Sequence, residues 1–392
     1  MLSEKFLQDR HREVFKTEPE ALFSAAGRTE LGGNHTDHNK GCILAASIDL
    51  STMAAVSLKS EPVVEFYSEG YRPFSVDLSD TRPVGSEKGN TKALVRGVAA
   101  AILKRGGKIG GMRVNVCSEV PSGKGLSSSA SVEVLIACIF NELYNGGRFS
   151  TTELAQISQE AENIHFGKPC GLMDQIACAN GNVVYVSFYP ELEVKTVDSP
   201  FEDWGLSIVL VDTHSSHENL TPQYAAIREE MESVAACFGK KVLAQVSEEE
   251  FLQNIKKVRQ RLKNDRAVLR AIHFFEETKR ARLMFEALGR RDKNQYLKLT
   301  RECGLSSSRY LQNIYPDDEP YSQGVNYAIS IAELLVGEEG AVRVHGGGFG
   351  GTIQVLLPLE KVDFFVEEME KKLEKGCCTV IKVRKEPVRR VL

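Results

Sequence analysis

Between residues 112 and 143 the chain runs from a strand pattern, through a turn rich in glycine and serine, into a helix that has to be buried. Val132, Leu135, Ile136, Ile139, Phe140 and Leu143 recur at helical spacing and define one apolar face. The turn reads Pro121-Ser122-Gly123-Lys124-Gly125-Leu126-Ser127-Ser128-Ser129-Ala130-Ser131. It gathers hydroxyls and free backbone N–H groups at a helix N-terminus, where the helix dipole favours an anion. It is not a Walker A loop, because Ser118 stands at that motif's first glycine and Gly125 follows the lysine. An ordinary serine-rich cap has the same composition, so this segment alone leaves both readings open.

A chain of 392 residues exceeds what one hydrophobic core usually serves, so two domains of roughly 200 residues are expected. The polar, turn-rich Asp198-Ser199-Pro200 places the passage between domains 1–200 and 201–392. No apolar run reaches the roughly 18 residues of a membrane span. A net charge of -4 with mixed signs offers no basic stripe for nucleic acid. The 9 cysteines are odd in number and lack C-x-x-C spacing, which suits free thiols in a reducing compartment. With no basic and apolar leader after Met1, a cytoplasmic protein is expected.

Apolar patterning predicts a helix over residues 1–17 with Leu2, Phe6 and Phe15 on its apolar side, then a strand over 21–26. Strands follow at 43–58, 63–67 and 74–78, a helix at 91–105 and a strand at 206–211. Thr221 and Pro222 carry the N-cap and N1 chemistry of a helix start ahead of Tyr224, Ile227 and Met231. Several helices then occupy 248–335. A strand, glycine turn and strand cover 341–357, followed by a helix at 360–374 and a strand at 378–383. Strands and helices in blocks that do not alternate regularly give an α+β class.

Three further segments carry polar chemistry. Gly27-Arg28-Thr29-Glu30-Leu31-Gly32-Gly33-Asn34-His35-Thr36-Asp37-His38-Asn39 reads as a loop that concentrates groups able to bind ring hydroxyls. His35 and His38 lack further ligands at metal spacing. In Arg343-Val344-His345-Gly346-Gly347-Gly348-Phe349-Gly350-Gly351 the glycines fit G-x-G-x-x-G, but a strand follows where a dinucleotide fold needs a helix. The turn either brings backbone close to a ligand or is simply a tight hairpin. Glu162 and Asp174 flank Gly167-Lys168-Pro169-Cys170-Gly171, whose Pro and Gly turn the chain so that both carboxylates can face one cleft. They suit a magnesium ligand and a proton acceptor, or plain solvated surface. Asp174 sits among Leu172, Met173, Ile176 and Ala177, so burial would require a partner, and Arg28 is the candidate.

In this order, the segments at 27–39, 123–131, 170–175 and 346–351 resemble the galactokinases, of the superfamily that includes homoserine, mevalonate and phosphomevalonate kinases. The resemblance spans essentially the whole chain. It implies the two-domain α+β sugar-kinase fold with its active site at the domain interface, and ATP-dependent phosphorylation of the anomeric C1 hydroxyl of galactose. It implies Asp174 and Arg28 as catalytic, and Gly123, Lys124, Gly125, Leu126, Ser127, Ser128, Ser129 and Ala130 as the ATP phosphate loop. Ser129 and Glu162 would hold Mg²⁺, and Asn34, His35, Asp37, Gly171 and Tyr224 would contact the sugar. The partners implied are sugar and ATP, with no nucleic acid and no membrane, on a monomer or else a dimer.

The signature departs from the family in three places. Asn34 stands where galactokinases usually carry glutamate, Glu30 replaces a common asparagine, and His38 a usual tyrosine. Less negative charge at Asn34 leaves galacturonate, and N-acetylgalactosamine as another related sugar, open beside galactose. A sensor that binds sugar and ATP without turnover is a further alternative, though neither the phosphate loop nor Asp174 is damaged.

Overall fold

Strand β1 (Ala21–Gly32) is 12 residues long and buried at every position, so it runs straight through the residues read above as the start of a loop. Gly27 suits the continuation: a Cβ there would stand 3.1 Å from Val120 and 3.2 Å from Ile48, so those side chains would have to give way for anything larger. Arg28 and Glu30 are therefore fixed by a strand. The computed structural model describes residues 3–121, 125–215 and 220–392.

The chain divides into two compact units: residues 1–28, 46–182 and 383–392, and residues 29–45 and 183–382. The sequence places one boundary near residue 200. The units are instead discontinuous, because the division falls inside β1 and because residues 383–392 return to the first unit.

In the first unit β1 lies in a sheet with β2 (Cys42–Lys59), β3 (Val63–Ser68), β4 (Phe74–Asp77), β5 (Gly111–Ser118) and the short β12 (Arg389–Arg390), in the order β12-β1-β2-β5-β3-β4. β2 runs antiparallel to β5 from Thr52↔Ser118 to Lys59↔Gly111, whereas β3 is parallel to β5. Helix α1 (Glu4–Phe15) is capped by Ser3 and buries Leu7 and His11. Leu7 packs on Leu22, Ala55 and Cys117, while Phe6 is exposed, so the apolar side is rotated from the Phe6 and Phe15 stripe expected. Leu2 lies outside the described residues. Helices α2 (Thr91–Lys104), α3 (Ser128–Asn145), α4 (Thr151–Glu160) and α5 (Met173–Asn180) complete the unit. Ser150 and Glu153 form a capping box that starts α4. α3 is buried on more than one face: Val134, Ala137 and Cys138 are inside as well as Leu135, Ile136, Ile139 and Phe140.

The second unit holds the hairpin β6 (Val183–Ser187) and β7 (Glu193–Val197) and a sheet of β8 (Leu206–Asp212), β9 (Ala341–His345), β10 (Thr352–Pro358) and β11 (Cys378–Ile381), ordered β11-β8-β10-β9 with every pairing antiparallel. Its helices are α6 (Thr221–Ala236), α7 (Glu248–Leu262), α8 (Asp265–Gly289), α9 (Lys293–Ser306), α10 (Gly324–Val336) and α11 (Val362–Lys372). Leu220 is the N-cap of α6, so Thr221 is one residue inside the helix and Pro222 lies in its first turn. One core layer packs α10 and α11 on the sheet through Val325, Phe365, Val344 and Val355. Another joins α6, α7 and α8 through Ile227, Met231, Phe251 and Phe274.

Candidate active site

In the first unit β5 leads into the phosphate-loop segment and α3 leaves it, as the pattern predicts. Ser122, Gly123 and Lys124 lie outside the described residues. Gly125 has φ +68° and Ser127 has φ 57°, a left-handed conformation that a serine adopts only when its surroundings hold it. The holding groups are visible. The Ser127 hydroxyl donates to Asp174 Oδ2, and Asp174 Oδ1 accepts from Arg28 Nε at 2.7 Å. Arg28 also donates through Nη1 to the Gly125 carbonyl, and its backbone N–H donates to the Leu126 carbonyl at 3.2 Å. Arg28, Asp174 and the turn at 125–127 are thus one hydrogen-bonded cluster. Burial acts to raise the Asp174 carboxyl, but the Arg28 charge, the Arg28 hydrogen bond and the Ser127 hydroxyl outweigh it and hold it below the usual carboxylate range. Gly171 lies two residues before α5, and Asp174 sits in the first turn of that helix.

Glu162 lies on a single π-turn, residues 161–166, that continues α4. Its Oε2 accepts from Gln175 Nε2 at 2.8 Å, so it is tied to the residue beside Asp174. The same amide donates at 3.2 Å to Glu133, a fully buried carboxylate on α3. Burial, and then the nearby Glu162, raise the Glu133 carboxyl well above its ordinary range. Glu133 and Gln175 were given no role from sequence. A glutamate between Val132 and Val134 on a buried helix was the available signal.

Ser128 and Ser129 border a cavity of about 680 Å³ walled by Phe66, Phe74, Val132 and Phe166. The Phe66 and Phe74 rings stack at 4.9 Å, and Lys92 Nζ stands 5.9 Å from the Phe74 ring. This largely apolar cavity lies beside the N-terminus of α3 and is lined also by Gly89, Asn90 and Thr91.

In the second unit the signature residues gather on the glycine turn between β9 and β10. His35 Nε2 donates to the Gly347 carbonyl at 2.8 Å. Its Nδ1 is then the acceptor nitrogen, and it is buried with no hydrogen-bond partner among the described residues. Burial and neighbouring His38 lower the imidazole to about 4, so it is neutral at physiological pH. The Tyr224 ring stacks on His35 with centroids 6.2 Å apart, and its hydroxyl donates to the Gly348 carbonyl at 3.1 Å. A Cβ at Gly347 would come within 2.6 Å of the Tyr224 ring, and one at Gly348 within 2.2 Å of the Asn313 carbonyl. Gly347 and Gly348 are therefore required by close packing against Tyr224 and Asn313. Asp37 Oδ1 accepts from the His38 N–H at 2.9 Å.

Asn34 is 1% exposed and both of its amide hydrogens are used. One points at the Glu30 carboxylate at 3.0 Å and the other at the Gly346 carbonyl at 2.7 Å, while Asn34 Oδ1 accepts from Asn313. Glu30 in turn pairs with Arg343, which is 0% exposed. The two departures at 30 and 34 are therefore bonded to each other. The charge absent at Asn34 resides at Glu30, where Arg343 neutralises it.

The family model for the GHMP kinase N-terminal domain matches residues 93–182, and that for the galactokinase galactose-binding signature matches residues 9–58. Over 367 residues the chain is 31% identical to the galactokinase of Streptomyces coelicolor, with 92% of this chain and 91% of that protein covered. The chain belongs to the galactokinase family. The resemblance read from its four ordered motifs is borne out, and so is a sugar-kinase class of enzyme. Among solved structures, the galactose complex of Lactococcus lactis galactokinase matches with a TM-score of 0.84 at 21% identity, covering 99% of both chains. A mevalonate kinase matches with a TM-score of 0.65 at 16% identity, over 93% of this chain and 99% of the other. The galactokinase and mevalonate kinase fold expected from the motifs is thereby established.

Proposed function

We propose that this member of the galactokinase family transfers the γ-phosphoryl group of ATP to the C1 hydroxyl of galactose, giving galactose 1-phosphate and ADP. The observation that carries the reading is the Arg28–Asp174 pair locked to the phosphate-loop turn, in a chain alike to a galactokinase along nearly its whole length. Phosphoryl transfer asks mainly for positioning and charge stabilisation. Arg28 is fixed by three hydrogen bonds and offers a cation that needs no reorganisation as charge develops on the transferred group. Asp174, kept ionised by Arg28 and Ser127, orients the C1 hydroxyl and takes its proton late in the transfer, since a depressed carboxylate is a weak base. Gly125, Leu126, Ser127, Ser128, Ser129 and Ala130, with Gly123 and Lys124, cradle the phosphates. The slot between Phe66, Phe74 and Phe166 suits a flat purine.

The oxygens near this cluster fit a hard divalent cation. Glu162 Oε1 is buried without a hydrogen-bond partner among the described residues, and the Lys168 ammonium stands 3.4 Å from that same oxygen, so a cation already holds this place. Among the described residues no group of three or more His, Cys, Asp and Glu side chains makes a metal cage. Ser129 and Glu162 would hold Mg²⁺, which when bound neutralises phosphate charge. On the sugar side, His35, Asp37, Gly171 and Tyr224 make the contacts. Asn34 acts by fixing the Gly346 turn, since its amide hydrogens are already committed. We place the protein in the cytoplasm, as a monomer or else a dimer.

The test is ADP release from Mg-ATP with galactose, galacturonate, N-acetylgalactosamine and glucose, run beside Asp174→Asn. Turnover on galactose that the variant abolishes is expected. No turnover on galactose, or turnover that survives Asp174→Asn, would overturn the reading.

A further inference from the structure

The segment that carries His35 and Asp37 is strained. Gly33 has φ +84° and His35 has φ 57°, and a left-handed histidine persists only where surrounding contacts over-determine it. A Cβ at Gly33 would stand 2.3 Å from the Cys42 carbonyl oxygen, so the backbone is also pressed against β2. Thr36 supplies local restraint by donating through its hydroxyl to the Gly33 and Cys42 carbonyls at 3.0 and 2.7 Å. The remaining peptide groups are held from another element. The Gly33 N–H donates to Glu277 Oε1 at 3.0 Å, and the Asn34 carbonyl accepts from His273 Nε2 at 2.9 Å.

We infer that His273 and Glu277, one turn apart on α8, are positioning residues that clamp the Gly33 and Asn34 peptide groups and so set His35 and Asp37 for the sugar. Both are 0% exposed, so neither reaches a ligand; they act through the backbone. Spacing of four residues puts them on one face of α8, one above the other. Each is itself locked. Glu277 pairs with Arg280 and accepts from Cys303 Sγ at 2.8 Å. His273 Nδ1 accepts from the Ser306 hydroxyl at 2.8 Å, which leaves the proton on Nε2, where the Asn34 carbonyl needs it. Burial lowers the His273 imidazole, so this neutral tautomer persists. Burial would raise the Glu277 carboxyl, yet the Arg280 charge, with the Cys303 thiol hydrogen bond, outweighs it and holds the group below the usual carboxylate range, so it stays an anion. An ionised acceptor on a backbone N–H is among the stronger hydrogen bonds available.

The clamp rests on the sugar-kinase reading for its consequence, but its mechanics can be tested without substrate. His273→Leu, His273→Gln and the milder Ser306→Ala are compared with the parent by deuterium uptake over residues 31–38 in ligand-free protein, and by dissociation constants for galactose and for ATP. His273→Leu should speed exchange in that segment and weaken galactose by about tenfold or more, with ATP within about twofold. His273→Gln, whose amide can donate where Nε2 did, should recover most of the loss, and Ser306→Ala should fall between. Unchanged uptake in His273→Leu and Ser306→Ala would overturn the clamp even if galactose proved the wrong sugar. Equal weakening of galactose and ATP, or no recovery with Gln, would reduce His273 to general packing and overturn it too. Should His273→Leu fail to fold, Ser306→Ala decides by the same criteria.

Discussion

Glu30→Gln is the sharpest stability test of the buried sugar-signature network. The change keeps the shape of the side chain and removes only its charge. Arg343 is 0% exposed, and its guanidinium donates to both the Glu30 side chain and the Glu30 carbonyl, the latter at 3.0 Å. With the carboxylate neutral, that cation loses the counter-charge it bonds directly, and breaking one side of such a buried pair costs about 3–5 kcal/mol. The cation keeps its attraction to Glu277, so the lower end, about 3 kcal/mol, is expected. For a unit of this size that is a loss of roughly 6–12 °C in melting temperature, read by calorimetry and by the midpoint in urea. The Asn34 amide also loses a charged acceptor, so the KM for galactose should rise while that for ATP holds. Adding Arg343→Met should restore most of the stability, because a buried pair replaced as a whole is close to neutral. A single variant that loses less than about 1 kcal/mol, or a double variant no better than the single, would refute the argument.

Asp174→Asn keeps the size of the side chain but removes the charge proposed to orient the C1 hydroxyl, and should lower kcat by about 10²–10⁴ with galactose binding retained, as single-turnover kinetics would read. Because Arg28 and Ser127 hold that carboxyl below its usual range, kcat/KM should show no loss attributable to Asp174 between pH 8 and the ordinary aspartate value of 3.8; an acidic limb near pH 6 that Asp174→Asn removes would count against this. Gly348→Ala forces a left-handed alanine at φ +76° with its Cβ 2.2 Å from the Asn313 carbonyl, so it should destabilise by several kcal/mol and weaken galactose more than ATP, seen in melting and titration calorimetry. His11, buried against the Ala55 carbonyl and the Ser57 hydroxyl, is lowered by burial from 6.5 to about 4. The unfolded chain thus binds the extra proton between those values, so stability is full above pH 6.5 and falls on acidification. His11 alone should account for about 2 kcal/mol between pH 7 and pH 5, and His11→Gln should flatten that part of the pH dependence of the urea midpoint.

What sequence made legible was whatever is local. The turn between β5 and α3 announced itself because strand, glycine, serine and buried helix follow one another within a few dozen residues. The Arg28–Asp174 pair was legible for a different reason: a carboxylate among apolar neighbours demands a cation. The supporting shell was not legible. Gly33 meets Glu277 across 244 residues, and Asn34 meets Asn313 across 279, and no periodicity or motif encodes such a meeting. The end of the first strand was misplaced at Ala26 because Gly27 resembles a turn residue, when it lies within the strand and is packed closely against Val120 and Ile48. Asn34 and Glu30 looked like two separate departures until their side chains were found bonded.

The return of residues 383–392 to the first unit orders events during synthesis. Phe23 and Ser24 on β1 wait for Arg390 and Arg389, the Ala179 carbonyl waits for the Val388 N–H, and the Arg384 guanidinium reaches Ser24 and Ser51. All of these partners leave the ribosome after the whole of the second unit. Until then the β1 edge has open backbone groups, the kind of surface that chaperones cover and that aggregating chains share. A fragment stopped near residue 200 would keep that edge bare permanently, whereas a circular permutant that joins residues 383–392 ahead of residue 3 would supply its strand first.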